Sequence, residues 1–169
     1  MRSSARESSN VQYAALPWRD TGAGLEILLI TSLRTKRWII PKGWSVPGLQ
    51  PHETAALEAL EEAGVSGEMV PQSLGSFCYN KRRKAGVDVR CKVSVFSLQV
   101  TRQRRQWSEK RKREARWYSA DEALSHVRNA GLRRLIARFA QAIRNPGASC
   151  RTPPDARAKK LAGPVEIEG

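Results

Sequence analysis

Glu58, Glu61 and Glu62 stand three and four positions apart in a stretch rich in Ala, Leu and Glu. On a helix that spacing puts all three carboxylates on one face, within reach of a common point. Like charges so close repel one another unless a cation lies among them. Hard carboxylate oxygens suit Mg²⁺, with Mn²⁺ as a substitute. Taken alone, the triplet reads first as a merely solvated acidic helix face, common in Ala/Glu helices, and otherwise as a candidate metal site.

The elements that must position the triplet are legible around it. Pro51 suits a first helical position and Gly64 a C-cap, which predicts a helix over 51–63. Before it runs KGWSVPGLQP, a loop whose glycines bring backbone close to whatever lies in front of it. Residues 11–17, 25–32 and 37–41 read as strands, with a turn around Asp20-Thr21-Gly22 and Gly24. Residues 72–80 and 89–100 are further strands joined by the hairpin loop KRRKAG, and 115–118 is a short one. In 89–99, Val89, Cys91, Val93, Val95 and Ser97 share one face, with Arg90, Lys92, Ser94, Phe96 and Leu98 on the other. Helices are expected from Asp121 to about Val127 and from Leu132 to Ile143, the second with Leu132, Leu135, Ile136, Phe139 and Ile143 at core spacing. Polar, aperiodic segments at 1–10 and 145–169 read as flexible tails around one domain over 11–144.

The net charge of +14 asks for an anionic partner: nucleic acid, an anionic membrane or a densely phosphorylated small molecule. Lys and Arg concentrate in 34–42, in 81–92 and in 102–116. No apolar run approaches a membrane span, and the opening residues lack the apolar core of a signal peptide. Cys78, Cys91 and Cys150 are odd in number and widely spaced, which reads as free thiols in a reducing cytoplasm.

The loop and helix together resemble the Nudix box, G-x5-E-x7-R-E-U-x-E-E-x-G-U with U a bulky apolar residue. Gly43, Glu58, Glu61, Glu62, Gly64 and Val65 fall at its offsets. Leu49 stands where the family has Glu, Leu57 where it has Arg, and Ala59 is smaller than the usual apolar residue. Glu53, one turn before Leu57, is a candidate substitute for the missing first Glu. The lead-in Leu28-Leu29-Ile30 and Trp38-Ile39-Ile40-Pro41-Lys42-Gly43 is also similar to that of many Nudix enzymes. Within the superfamily the chain looks closest to hydrolases of diphosphoinositol polyphosphates and diadenosine polyphosphates, through Ser32 and Arg34, the basic hairpin Lys81–Lys84, and Lys112-Arg113-Glu114 with Trp117.

The resemblance implies an α+β fold, an α/β/α sandwich with a mixed sheet and the box helix lying against it. It implies that Glu58, Glu61 and Glu62 hold Mg²⁺ and carry phosphoanhydride hydrolysis. It places substrate phosphates against Ser32, Gly43 and the cations Arg34, Lys36, Lys42, Lys81, Arg82, Arg83 and Arg113. A general base is expected outside the box, with Glu109 and Glu114 as candidates. Because the box arginine orients the carboxylates in that family, Leu57 is expected to leave at least one of them without its partner, a loss that typically costs ~10–100-fold in metal affinity or activity. Two other readings stay open. One is removal of a 5′ pyrophosphate or cap from RNA by the same chemistry. The other is a nucleic-acid-binding protein on a degraded scaffold, using the basic tracts with Trp107 and Trp117 as stacking platforms.

Overall fold

A computed structural model describes residues 10–82 and 86–148. The elements run β1 (Val11–Asp20), β2 (Leu25–Thr31), β3 (Trp38–Ile39), β4 (Lys42–Trp44), α1 (Pro51–Ala63), β5 (Val65–Arg82), β6 (Asp88–Gln103), β7 (Ala115–Ser119), α2 (Ala120–His126) and α3 (Ala130–Arg144). One sheet takes all seven strands in the order β3-β2-β1-β6-β5, with β4 added to β1 and β7 to β2. β1 and β6 run parallel, whereas β1–β2, β1–β4 and β5–β6 are antiparallel, so the sheet is mixed.

Alternation along the central strands sends side chains to two separate cores. Ala14, Leu16, Ile27, Leu29, Val93 and Val95 face α2 and α3, whose Ala123, Leu132, Ile136 and Phe139 close that layer. Ala15, Leu28, Ile30, Phe96 and Leu98 face the opposite way, onto Ala55, Ala59 and Ala63 of α1. Those three alanines are one helical turn apart and fully buried, so α1 lies close against the sheet. A bulkier residue at 59 would hold the helix off. The layers are therefore helix, mixed sheet, helix pair, as the α+β sandwich reading expects.

The departures from the sequence expectations have local causes. The 20–24 turn closes through Thr21 N–H donating to the Gly24 carbonyl at 3.2 Å, with Gly22 in the left-handed region. The strand expected at 37–41 shrinks to two residues. Lys42–Trp44, expected as loop, instead pairs with β1 through Tyr13 opposite Gly43. β5 starts at Val65 rather than 72, because its register shifts between Met69 and Ser73 absorb Pro71, which has no N–H to donate. Gly67 permits this pairing, since a Cβ there would run into the Gln99 carbonyl. Ile143, expected in the core, is 37% exposed: the apolar seam of α3 ends at Phe139 and Ala140. Of the two expected tails, residues 1–9 and 149–169 lie outside the described residues, and 146–148 form a 3₁₀ turn.

None of the described helices is long and apolar enough to cross a membrane. Ile136→Ala should lower stability by ~2–5 kcal/mol in urea unfolding, whereas Ile143→Ala should stay within ~0.5 kcal/mol of the parent. Equal costs would contradict the depth assigned to α3.

Candidate functional site

Three segments meet at the C-terminal half of α1. The first is β4, which lays Gly43 against the helix so closely that a Cβ would collide with the Glu58 carboxylate. Here the glycine is required by close approach, since its backbone is ordinary β. The second is α1 itself, on which Glu62 is buried, Glu58 half-buried and Glu61 exposed. The third is the connection 104–114, which carries Glu109 and Arg113.

That connection is fastened to the end of α1. Gly64 caps the helix with φ of 69°, and the Trp107 ring sits where a Cβ on Gly64 would lie, 2.6 Å away. Arg104 N–H donates to the Gly64 carbonyl at 2.8 Å and Glu109 N–H to the Glu61 carbonyl at 3.1 Å, so carbonyls that the helix end leaves free are satisfied. On its other side the connection is tied to β2: Glu114 N–H donates to Thr31 Oγ1 at 2.9 Å.

Arg113 lies between these anchors. Its Nη2 donates to Glu62 Oε1, its Nε to Glu109 Oε2 and its Nη1 to the Thr31 carbonyl at 3.1 Å. The Arg113 and Glu62 side chains are 8% and 9% exposed. The second Glu62 oxygen accepts from Lys42 N–H at 3.0 Å. Burial pushes the Glu62 carboxyl up to about 7, against the opposing pull of Arg113 and of the Lys42 N–H. Burial also raises Glu58, and the neighbouring Glu61 and Glu109 raise it further. Glu109 thus belongs electrostatically to the box carboxylates. Glu114 does not: it points to solvent and pairs with Arg116 at 3.2 Å.

Beside the carboxylates, Lys42 Nζ donates to Tyr79 Oη at 3.2 Å, and the Tyr79 hydroxyl donates to Gln12 Oε1 at 2.6 Å. Burial lowers the Lys42 ammonium, with Glu62 opposing, and raises the Tyr79 phenol. Tyr79 and Gln12 carry no motif that would have marked them in the sequence.

The expected phosphate-facing residues divide. Arg34 reaches the Arg82 carbonyl at 3.4 Å, Lys36 reaches the Lys112 carbonyl at 2.9 Å, and Lys81 lies 4.8 Å over the exposed Trp44 ring. The first two contacts join the three basic tracts into one rim, whose Lys81 acts on Lys42 beside the carboxylates. The Ser32 hydroxyl is engaged in its own turn, with Thr35 Oγ1 at 2.7 Å and Arg37 N–H at 3.1 Å. Arg113, expected on the rim, is withdrawn among carboxylates, and Arg83 lies outside the described residues. Trp107 packs on Gly64, and Trp117 is covered by Arg19 at 4.1 Å and donates to Gln103 at 3.0 Å, so neither stands as a free stacking platform. Glu53, the candidate replacement for Leu49's missing carboxylate, instead accepts from Gln50 N–H at 2.7 Å and caps α1. Cys78 and Cys91 are free thiols.

As found, among the described residues no three acidic, His or Cys side chains converge into a ready metal cage. The donor set of Glu58, Glu61 and Glu62 nonetheless fits a hard divalent cation, which would offset both the burial of Glu58 and the repulsion from Glu61 and Glu109 that adds to it. Gly43→Ala should turn the Glu58 carboxylate aside. Thermal unfolding should show the fold retained while Mn²⁺ affinity, read by titration calorimetry, falls ~10–100-fold; unchanged affinity would remove Glu58 from the site.

Comparison with known proteins gives the family and the fold. The family model of the NUDIX domain matches residues 10–139. Nudix hydrolase 12, mitochondrial, of Arabidopsis thaliana is 32% identical over 118 residues, covering 68% of this chain and 58% of the relative. Diphosphoinositol polyphosphate phosphohydrolase 3-alpha of Mus musculus is 36% identical over 104 residues, 59% of this chain and 58% of the relative. The chain spans 54% to 64% of the length of the Arabidopsis relatives it matches. Among solved structures, the binary complex of the C. elegans Ap4A hydrolase superposes with a TM-score of 0.60 at 19% identity, covering 80% of this chain and 98% of that one. With the family model matched across both cores, the box helix and the 104–114 connection, the chain belongs to the NUDIX family.

Proposed function

We propose that the chain is a metal-dependent hydrolase of phosphoanhydride bonds in polyphosphorylated small molecules, of the diadenosine polyphosphate or diphosphoinositol polyphosphate type. The observation that carries this reading is a carboxylate cluster held by Lys42, on which Lys81 acts from a basic rim drawn from three separate tracts. The names of two similar proteins, a diphosphoinositol polyphosphate phosphohydrolase and an Ap4A hydrolase, support the substrate class.

Glu58, Glu61 and Glu62 would hold Mg²⁺, or Mn²⁺ in its place. Once bound, the metal lowers the pKa of a water and offsets charge on the phosphates. The protein's own part is orientation and field. Arg34, Lys36, Lys81 and Arg82 on the rim attract several phosphates at once, and arginines grip them bidentately. Lys42, held by Tyr79, stands between rim and cluster. Glu109, beside Glu58 and outside the box, is the candidate general base. Free thiols at Cys78 and Cys91 suit action in a reducing cytoplasm.

Removal of a 5′ pyrophosphate from RNA is the second reading. The exposed Arg102, Arg104, Arg105, Arg111 and Lys112 beside the site favour it, since they extend the positive surface beyond a small molecule. A purely binding role fits less well, because a carboxylate cluster without metal repels a phosphate backbone.

Incubation with Mg²⁺ or Mn²⁺ and a panel of diadenosine polyphosphates, diphosphoinositol polyphosphates, nucleoside triphosphates and triphosphorylated RNA should give metal-dependent turnover. Glu62→Gln should abolish it, and Glu109→Gln should cut kcat ~10²–10⁴-fold. The absence of any turnover that Glu62→Gln removes would sink the enzymatic reading. Full activity in Glu109→Gln would exclude Glu109 as the base.

A further inference from the structure

The box helix has Leu57 where its family has an arginine, yet the carboxylate most deeply buried in the cluster is not without a cation. We propose that Arg113, supplied from the 104–114 connection, is the residue that orients the carboxylate cluster, so that the orienting cation has moved off the box helix. This rests on the reading that the box carboxylates hold a divalent cation.

Several independent features place the guanidinium there. Three of its nitrogens are committed in three directions, to Glu62, to Glu109 and to the Thr31 carbonyl, which fixes the plane of the fork. Arg113 and Lys42 N–H each hold one oxygen of Glu62, leaving the carboxylate's other lone pairs in a set direction. The connection cannot drift, because Trp107 packs on Gly64 at one end and Glu114 pairs with Thr31 at the other. Between them, Glu109 N–H is bonded to the carbonyl of Glu61, itself a member of the triplet. Leu57, half-buried on α1, offers no charge of its own.

Arg113 is a positioning residue in this account, and its removal has two effects of opposite sign on metal binding. Losing a neighbouring positive charge would by itself tighten the binding of a cation. Losing the hydrogen bonds that aim Glu62 weakens it, typically ~10–100-fold. The direction of the change therefore separates an orienting residue from a nearby charge.

Mn²⁺ binding, followed by the electron paramagnetic resonance of the free ion, would be measured on the full chain, on Glu62→Gln, on Arg113→Gln and Arg113→Lys, and on Leu57→Arg. Arg113→Gln should weaken Mn²⁺ binding ~10–100-fold and raise the Mn²⁺ needed for half-maximal turnover, while Arg113→Lys should recover much of the loss. Leu57→Arg, checked for an unchanged fold by thermal unfolding, should give no gain, because Glu62 already has its partner. A tenfold gain in Leu57→Arg would overturn the proposal, as would unchanged or tighter binding in Arg113→Gln. Failure of the parent chain to bind Mn²⁺, or equal binding by Glu62→Gln, would instead sink the metal-site reading beneath it.

Discussion

Arg113 and Glu62 meet with only 8% and 9% of their side chains exposed, where withdrawing either charge from water alone costs several kcal/mol. Such a pair survives burial only with further hydrogen bonds on both partners, and here it has them. Glu109 and the Thr31 carbonyl take the other guanidinium nitrogens, and the Lys42 N–H takes the second Glu62 oxygen. The partners come from β2, β4, α1 and the 104–114 connection. Each element is thereby held to the others through charges and backbone hydrogen bonds beside the core that Ala59 and Ala63 enter.

The glycines around this pair set distances that side chains could not. Gly43 lets β4 pass beneath Glu58, and Gly64 ends α1 with room for the Trp107 ring. Ala55, Ala59 and Ala63 do the same on the buried side of α1, drawing the helix down onto Leu28, Ile30 and Phe96. The carboxylates consequently emerge beside the strand that carries Lys42, the residue on which Lys81 of the rim acts. A site that needs an anionic centre and a cationic surround gains both from one helix and the loops at one end of the sheet.

Much of this was legible in the sequence, for stated reasons. Pro51 and Gly64 bracket α1, and the triplet at three-four spacing identifies its polar face. Alternation in 89–99 separates Val93 and Val95 from Phe96 and Leu98, and those residues do lie in different cores. Contacts between residues far apart in the chain were not legible. Arg113 is one of many arginines in a basic tract, and nothing in its neighbours shows that it turns inward to a glutamate 51 positions away. Trp107 offered a faint signal, a lone large aromatic among charges, but the same signal also suits a stacking platform. Glu53 resembles a replacement for a missing box residue only until the helix N-terminus claims it. Leu57 reads as the loss of a partner on local grounds; the Arg113–Glu62 ion pair is tertiary and leaves no local sign.

The most direct test of the central claim is a crystal structure of the full chain grown with Mn²⁺, with the ion located by anomalous scattering. A peak is expected about 2 Å from oxygens of the box glutamates, with Arg113 still bonded to Glu62 behind it. A peak elsewhere on the molecule, or an Arg113 swung out to solvent while Glu62 keeps its place, would contradict it.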